Sequence, residues 1–114
     1  MGAVILEEVS AVHTASGSTG PLEVGPLTTL AVDVNVSAVS GTTPSMSLVV
    51  ERQGSDGNWY SIWAPSAVTV AGVVSTSIGP GCATAAVVTS VVRLRWSITG
   101  TTPSFTFSAS VIAR

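Results

Sequence analysis

Two long stretches of this chain place an apolar residue at every second position, and a period of two builds extended strands rather than amphipathic helices. In the first, Leu30, Val32, Val34 and Val36 alternate with Asp33, Asn35 and Ser37. After Ser40-Gly41-Thr42-Thr43-Pro44 the period returns in Met46, Leu48 and Val50, so the pair reads as a β-hairpin. A further turn, Gly54-Ser55-Asp56-Gly57-Asn58, leads into Trp59-Tyr60-Ser61-Ile62-Trp63, whose aromatic and β-branched residues suit a third antiparallel strand. In the other stretch Val92, Leu94, Trp96 and Ile98 are followed, across Gly100 to Ser104, by Phe105, Phe107, Ala109 and Val111, which predicts a second hairpin.

The two stretches also share letters. Gly41-Thr42-Thr43-Pro44-Ser45 recurs unchanged as Gly100-Thr101-Thr102-Pro103-Ser104. Aligning Val34-Asn35-Val36-Ser37 with Leu94-Arg95-Trp96-Ser97 leaves one extra residue in the first copy, which predicts a β-bulge near Ala38 or Val39. Glycine frees the backbone, proline fixes φ, and threonine hydroxyls can bond nearby main-chain groups. No segment sustains a 3.6-residue period. The expected fold class is therefore all-β, a single antiparallel β-sandwich of Ig-like or jelly-roll-like form, with Val32, Val34, Val36, Leu48, Val50, Leu94, Trp96, Phe105 and Phe107 interdigitating in its core.

The remaining segments are weaker strand formers. Residues 3–13 fit an edge strand or an extended arm, with Val4, Leu6 and Val9 apolar and Glu7-Glu8 interrupting the alternation. Thr14 to Gly20 is small and polar and reads as a flexible linker, followed by a short extended piece from Pro21 to Pro26. Residues 1–24 are thus an arm and linker, and residues 25–114 the sandwich. The strand-like segment up to residue 13 spans about 35 Å when extended, enough to add a strand to a neighbouring subunit. Ala67 to Val70 and Val73 to Ile78 predict short strands, Gly79 to Cys82 a turn, and Ala83 to Val88 irregular chain.

Composition narrows the function. Only 9% of residues are charged, where about 25% is ordinary, although 46% are hydrophobic. Four arginines, no lysine, six acids and a pI near 5.0 leave no basic footprint for nucleic acid. No apolar run approaches the roughly 18 residues of a membrane-spanning helix. The apolar start, Met1 to Leu6, lacks a basic flank and meets Glu7-Glu8 at once, so no signal-peptide core is expected and the producing cell's cytoplasm is the expected site of synthesis. Asn35-Val36-Ser37 matches a glycosylation sequon but lies within a strand pattern, and Cys82 stands alone, so no internal disulfide can form.

Chemistry-bearing constellations are few. His13, in the N-terminal segment, lacks the context of a nucleophilic triad, and His13 with Cys82 would supply two of the four ligands of a structural zinc site. Glu7 and Glu8 point to opposite faces of a strand and cannot act as a paired acid and base. Asp56 reads as a turn former. Trp59, Ser61 and Trp63 share one strand face and Tyr60 and Ile62 the other, an arrangement suited to stacking sugars or to packing. Arg93 and Arg95 project from one face, where they can pair with Glu51, Asp33 or a partner chain. No enzymatic activity, metal or cofactor is expected.

Val36-Ser37-Ala38-Val39-Ser40-Gly41-Thr42-Thr43-Pro44-Ser45, followed by Glu51-Arg52-Gln53-Gly54-Ser55-Asp56-Gly57-Asn58-Trp59-Tyr60, resembles a pattern of small structural proteins of tailed bacteriophages. The resemblance covers about residues 30 to 63 and is echoed at Gly100 to Ser104; residues 1–24 lie outside it. It implies a non-enzymatic virion protein, a capsid decoration or minor capsid protein binding the assembled head as a homo-oligomer. Its implied partners are the major capsid protein and copies of itself, and neither nucleic acid, membrane nor a small-molecule substrate. A tail or neck position is the alternative within the virion. The alternative outside it is a ligand-binding module, either a bacterial surface Ig-like domain or a carbohydrate-binding domain. Sparse charge on an apolar chain independently favours association. The expected assembly residues are Val4, Leu6, Glu7, Glu8, Val9, Trp59, Trp63, Arg93 and Arg95.

Overall fold

The computed structural model describes the backbone of residues 3–19, 21–25 and 28–113, and side chains from residue 12 onward. Its elements are β1 (Ala3–His13), β2 (Gly17–Ser18), β3 (Leu22–Glu23), β4 (Leu30–Gln53), β5 (Trp59–Trp63), β6 (Gly72–Ile78) and β7 (Val91–Ala113), and these strands pair antiparallel throughout. There is no helix among the described residues.

The alternating stretches form strands but not hairpins. β4 and β7 run the length of the molecule and pair with each other, from Leu30 opposite Ala113 to Arg52 opposite Val92. Each repeated Gly-Thr-Thr-Pro-Ser is a bend within one continuous strand, and the two bends lie side by side, Thr42 opposite Thr101. Alternation on both sides of a Gly/Pro break is common to a chain reversal and to a corner. The local sequence therefore cannot separate the two; the cross-strand partner does.

Beyond the corner each strand enters a second layer. One layer holds β1, the C-terminal half of β7, the N-terminal half of β4, and β6; the other holds β2 and β3, the N-terminal half of β7, the C-terminal half of β4, and β5. The layers face each other directly, with the rings of Trp96 and Phe107 edge to face at 5.4 Å between centroids. Every residue expected in the core is buried, joined by Leu30, Met46, Ile78, Val92 and Val111. The result is an all-β, jelly-roll-like sandwich.

Parity explains the extra residue in the first copy. In β7 the inward positions are Val92, Leu94 and Trp96 before the corner and Phe105, Phe107 and Ala109 after it, so the corner shifts the inward set by one residue. In β4 the inward set is Val32, Val34 and Val36 before and Met46, Leu48 and Val50 after, with no shift. A register slip between Val36 and Ala38, near the predicted bulge, supplies the compensating residue.

The corner itself is reciprocal. Gly41 and Gly100 have φ of 111° and 126°, and Thr43 and Thr102 follow at 48° and 46°. Positive φ on a β-branched residue costs about 1–3 kcal/mol. Each threonine hydroxyl donates to the preceding carbonyl at 2.8 Å, Thr43 to Thr42 and Thr102 to Thr101. A Cβ on Gly41 would lie 2.6 Å from the Thr102 carbonyl oxygen, and one on Gly100 would lie 2.9 Å from that of Thr43. Each glycine thus admits the backbone of the other repeat.

The N-terminal segment takes the edge-strand alternative. β1 pairs with β7 of its own chain, from Ala3 opposite Ala113 to His13 opposite Phe105. His13 is half-buried, stacked on Phe107 at 4.2 Å and edge-on to Trp96 at 5.1 Å. The expected linker is held down as well. Thr19 donates its amide to Leu94 O at 2.9 Å and accepts the Leu94 amide on its hydroxyl at 3.1 Å, and the Ile98 amide donates to Ser16 Oγ at 3.0 Å. Small polar residues suit such an edge because hydroxyls can complete the ladder where strand geometry lapses. The strand expected at Ala67 to Val70 is a single bridge, Val68 to Met46, with hydrogen bonds of 2.7 and 2.9 Å. Residues 83–88 carry only the bridge of Thr84 to Ile78.

Two outcomes follow from this geometry. Gly41→Ala and Gly100→Ala each lower stability by about 2 kcal/mol or more, Gly41 the more severely, while Thr42→Ala and Thr101→Ala cost about 1 kcal/mol or less, as read from urea midpoints. Deleting residues 1–13 uncovers Phe107 and lowers the melting temperature by roughly 4 °C or more, the shift of about 1 kcal/mol in a domain of this size.

Candidate functional site

The outward face of the second layer gathers most of the polar chemistry in the described side chains. On β7 the outward residues include Arg93 and Arg95, on β4 Val49, Glu51 and Gln53, and on β5 Trp59 and Ser61, aligned by the pairs Glu51–Arg93, Glu51–Ser61 and Gln53–Trp59. Glu51 is the buried charge of the structure as described, 7% exposed. Its Oε1 accepts from Arg93 Nε at 2.8 Å and from Arg95 Nε at 3.2 Å. The Arg93 guanidinium lies 4.3 Å from the centre of the Trp59 ring, a cation–π contact. Of the partners open to the two arginines, the structure selects Glu51. A carboxylate at this depth needs such pairing, since an unpaired buried charge is costly.

The tryptophans do not form a platform. Glu51 pairs with Ser61 but the neighbouring Val50 pairs with Trp63, so a register slip at Ile62 breaks the alternation of β5. Trp59 therefore stays outward, while Trp63 shares the inward side of Val50 and packs on the core. The one-face reading of Trp59 and Trp63 is corrected by this bulge, which nothing in Trp-Tyr-Ser-Ile-Trp announces.

Asp56 organises the turn that presents β5. Its carboxylate accepts from the Asn58 amide at 3.0 Å, the Asn58 side chain at 3.1 Å and the Tyr60 hydroxyl at 2.6 Å, and Gly54 and Asn58 close the turn through the main chain. Arg52 lies over the Tyr60 ring at 5.2 Å. The Tyr60 hydrogen bond, with the Asn58 donors, holds the Asp56 carboxyl below the usual carboxylate range, and the same bond followed by the Asp56 charge pushes the Tyr60 phenol up.

Val4, Leu6, Glu7, Glu8 and Val9 lie on β1; their side chains fall outside the described residues, and Glu7 and Glu8 are registered with Ser110 and Ala109. Cys82 is half-buried with its Sγ 4.0 Å from Pro80 O. Among the described residues no three of His, Cys, Asp and Glu converge as metal ligands. Among the described residues no helix is long and apolar enough to cross a membrane.

One surface was missed in the sequence. Between Asp56 and Arg93 the chain carries no charged residue at all. This segment contains β6, which pairs with β4 along one side, and its flanking loops. Val70, Val73 and Val87, exposed at 71%, 70% and 66%, all belong to it. The missing charge was readable by counting; that these valines face outward was not.

No family model and no curated protein matches the sequence. Solved structures do resemble it in fold. The chain is similar to the CBM22-1 xylan-binding domain of Paenibacillus barcinonensis Xyn10C, with a TM-score of 0.57 and 14% identity over 98% of this chain and 94% of that one. It is similar to PBSX exported protein XepA, with a TM-score of 0.61 and 11% identity over 99% of this chain and 36% of that one. It also resembles the SPBc2 prophage-derived protein YomS, with a TM-score of 0.50 and 14% identity over 98% and 91%. At these identities the shared property is the antiparallel β-sandwich.

The Asp56–Tyr60 bond has a pH signature. Because the Asp56 pKa is lowered, its stabilising contribution is present above the unfolded carboxyl pKa and is lost as pH falls through the folded one. Because the Tyr60 pKa is raised, its contribution is complete below the unfolded phenol pKa and is lost as pH rises through the folded one. NMR titration will find Asp56 ionising below and Tyr60 above their ordinary values, and Asp56→Asn will bring the Tyr60 transition back down.

Proposed function

We propose that the protein is a non-enzymatic structural component of a phage particle, a capsid decoration or minor capsid protein that associates with itself and with the major capsid protein on the assembled head. The observation that carries this reading is the uncharged segment from Gly57 to Val92, in which Val70, Val73 and Val87 stand exposed. Exposed apolar side chains suit burial against another protein, and exposed Asp33, opposite Ser75, borders them on the neighbouring strand. The fold likeness to a prophage-derived protein and the turn pattern shared with tailed-phage structural proteins support the same reading. A tail or neck position would use the same surface.

A carbohydrate-binding module is the second reading, favoured by a fold likeness that spans nearly the whole of the xylan-binding domain as well as of this chain. The structure gives it one outward tryptophan, Trp59, rather than a pair.

Sedimentation velocity tests the structural role. The protein alone will show concentration-dependent oligomers, and it will co-sediment with heads assembled in its absence. Val70→Asp combined with Val73→Asp will weaken both by about tenfold, while the circular dichroism spectrum stays that of the parent. A monomer at every concentration that also fails to co-sediment with heads overturns the reading.

A further inference from the structure

Arg93 and Arg95 stand two residues apart on β7 with their side chains on one face, so each cation raises the cost of the other. Glu51 resolves this by accepting an Nε–H from both on a single oxygen, at 2.8 and 3.2 Å. The carboxylate is nearly buried, whereas the Arg93 and Arg95 side chains are 25% and 42% exposed. Among the described residues the terminal Nη groups of both arginines make no hydrogen bond, although a guanidinium carries five N–H donors in a fixed fork. The pair is therefore anchored from beneath by one edge and presents its other donors outward. Glu51 serves both cations with one carboxylate. Glu23, registered with Val91 next along the face, brings a second, exposed carboxylate, while both arginines are paired with Glu51.

The surroundings restrict what could use those donors. Ser61 and Ser18, registered with Glu51 and Arg95, are exposed on the same side, and Trp59 flanks Arg93. A polyphosphate or nucleic acid would call for further cations, and the described residues of this face supply none. A neutral sugar would leave the guanidinium fork without its planar anionic partner. A carboxylate borne on a hydroxyl-rich ring satisfies both parts of the surface at once, since serine hydroxyls and an indole are suited to a pyranose.

We propose that this outer face binds acidic oligosaccharides, the carboxylate of a uronic acid being received by the Nη groups of Arg93 and Arg95 while Trp59 and Ser61 on one flank and Ser18 on the other contact successive rings. Glu51 is a positioning residue that holds the fork. The site lies on the second layer whereas β6 belongs to the first, so it stands or falls independently of the structural role.

The test is a titration of the full chain with trigalacturonate, followed by calorimetry and by ¹⁵N NMR of the arginine Nε–H groups, with xylotriose and acetate as parallel arms. Saturable binding of trigalacturonate is expected, weakening with salt and shifting the Arg93 and Arg95 Nε resonances, while neither xylotriose nor acetate saturates at the same concentrations. Arg95→Gln will weaken binding by about tenfold or more and Arg95→Lys by less, because lysine restores charge but not the fork. Glu51→Gln will broaden both Nε resonances and weaken binding. Equal binding of xylotriose, acetate saturating as readily as trigalacturonate, no saturation by any of the three, or unchanged affinity in a folded Arg95→Gln each overturns the proposal.

Discussion

The antiparallel pairing of β4 with β7 is the constraint on which everything else in this molecule rests. Every other strand attaches to one of these two: β1, β2 and β3 to β7, β5 and β6 to β4. Because the pair crosses from one layer to the other, a single ladder of hydrogen bonds fixes the register of both layers together. A slip by one residue would turn Val32, Val34, Leu48, Leu94 and Phe107 outward at once, so the buried apolar face locks the register of the whole sandwich.

Such a long pair has to bend, and the repeated pentapeptides are where it does. Each glycine accepts the opposing backbone at a distance no Cβ would tolerate, and each following threonine sits at positive φ in mirrored hydrogen bonding. Strain of this kind persists only where the structure around it fixes the conformation, and here the paired strands on both sides do so. The echo in the sequence is thus the trace of an approximate two-fold relation between β4 and β7, broken by the single bulge residue that restores the inward parity of β4.

Charge is distributed unevenly over this frame. The stretch from Gly57 to Val92 has none, while Glu51, Arg93 and Arg95 meet on one face beside Trp59. The uncharged segment carries exposed valines, while the arginine face carries guanidinium groups anchored on a buried carboxylate.

Strand positions, the inward faces and the turn at Asp56 were legible from the sequence because each depends on neighbours a few residues away, and the bulge was legible from the unequal length of the two copies. Alternation sets which side chains are buried, and Asp56, Gly57 and Asn58 make their turn locally. What the sequence left undetermined was which strand lies beside which. The pentapeptides read as hairpin turns, yet the partner of residue 42 is residue 101; residues 3–13 pair within their own chain; and a slip at Ile62 sends Trp59 and Trp63 to opposite sides. Glu51 likewise meets Arg93 and Arg95 only because β4 and β7 are neighbours. These outcomes were decided by tertiary structure for one physical reason: a strand's main chain pairs with almost any other, and only the joint burial of two apolar faces selects the partner.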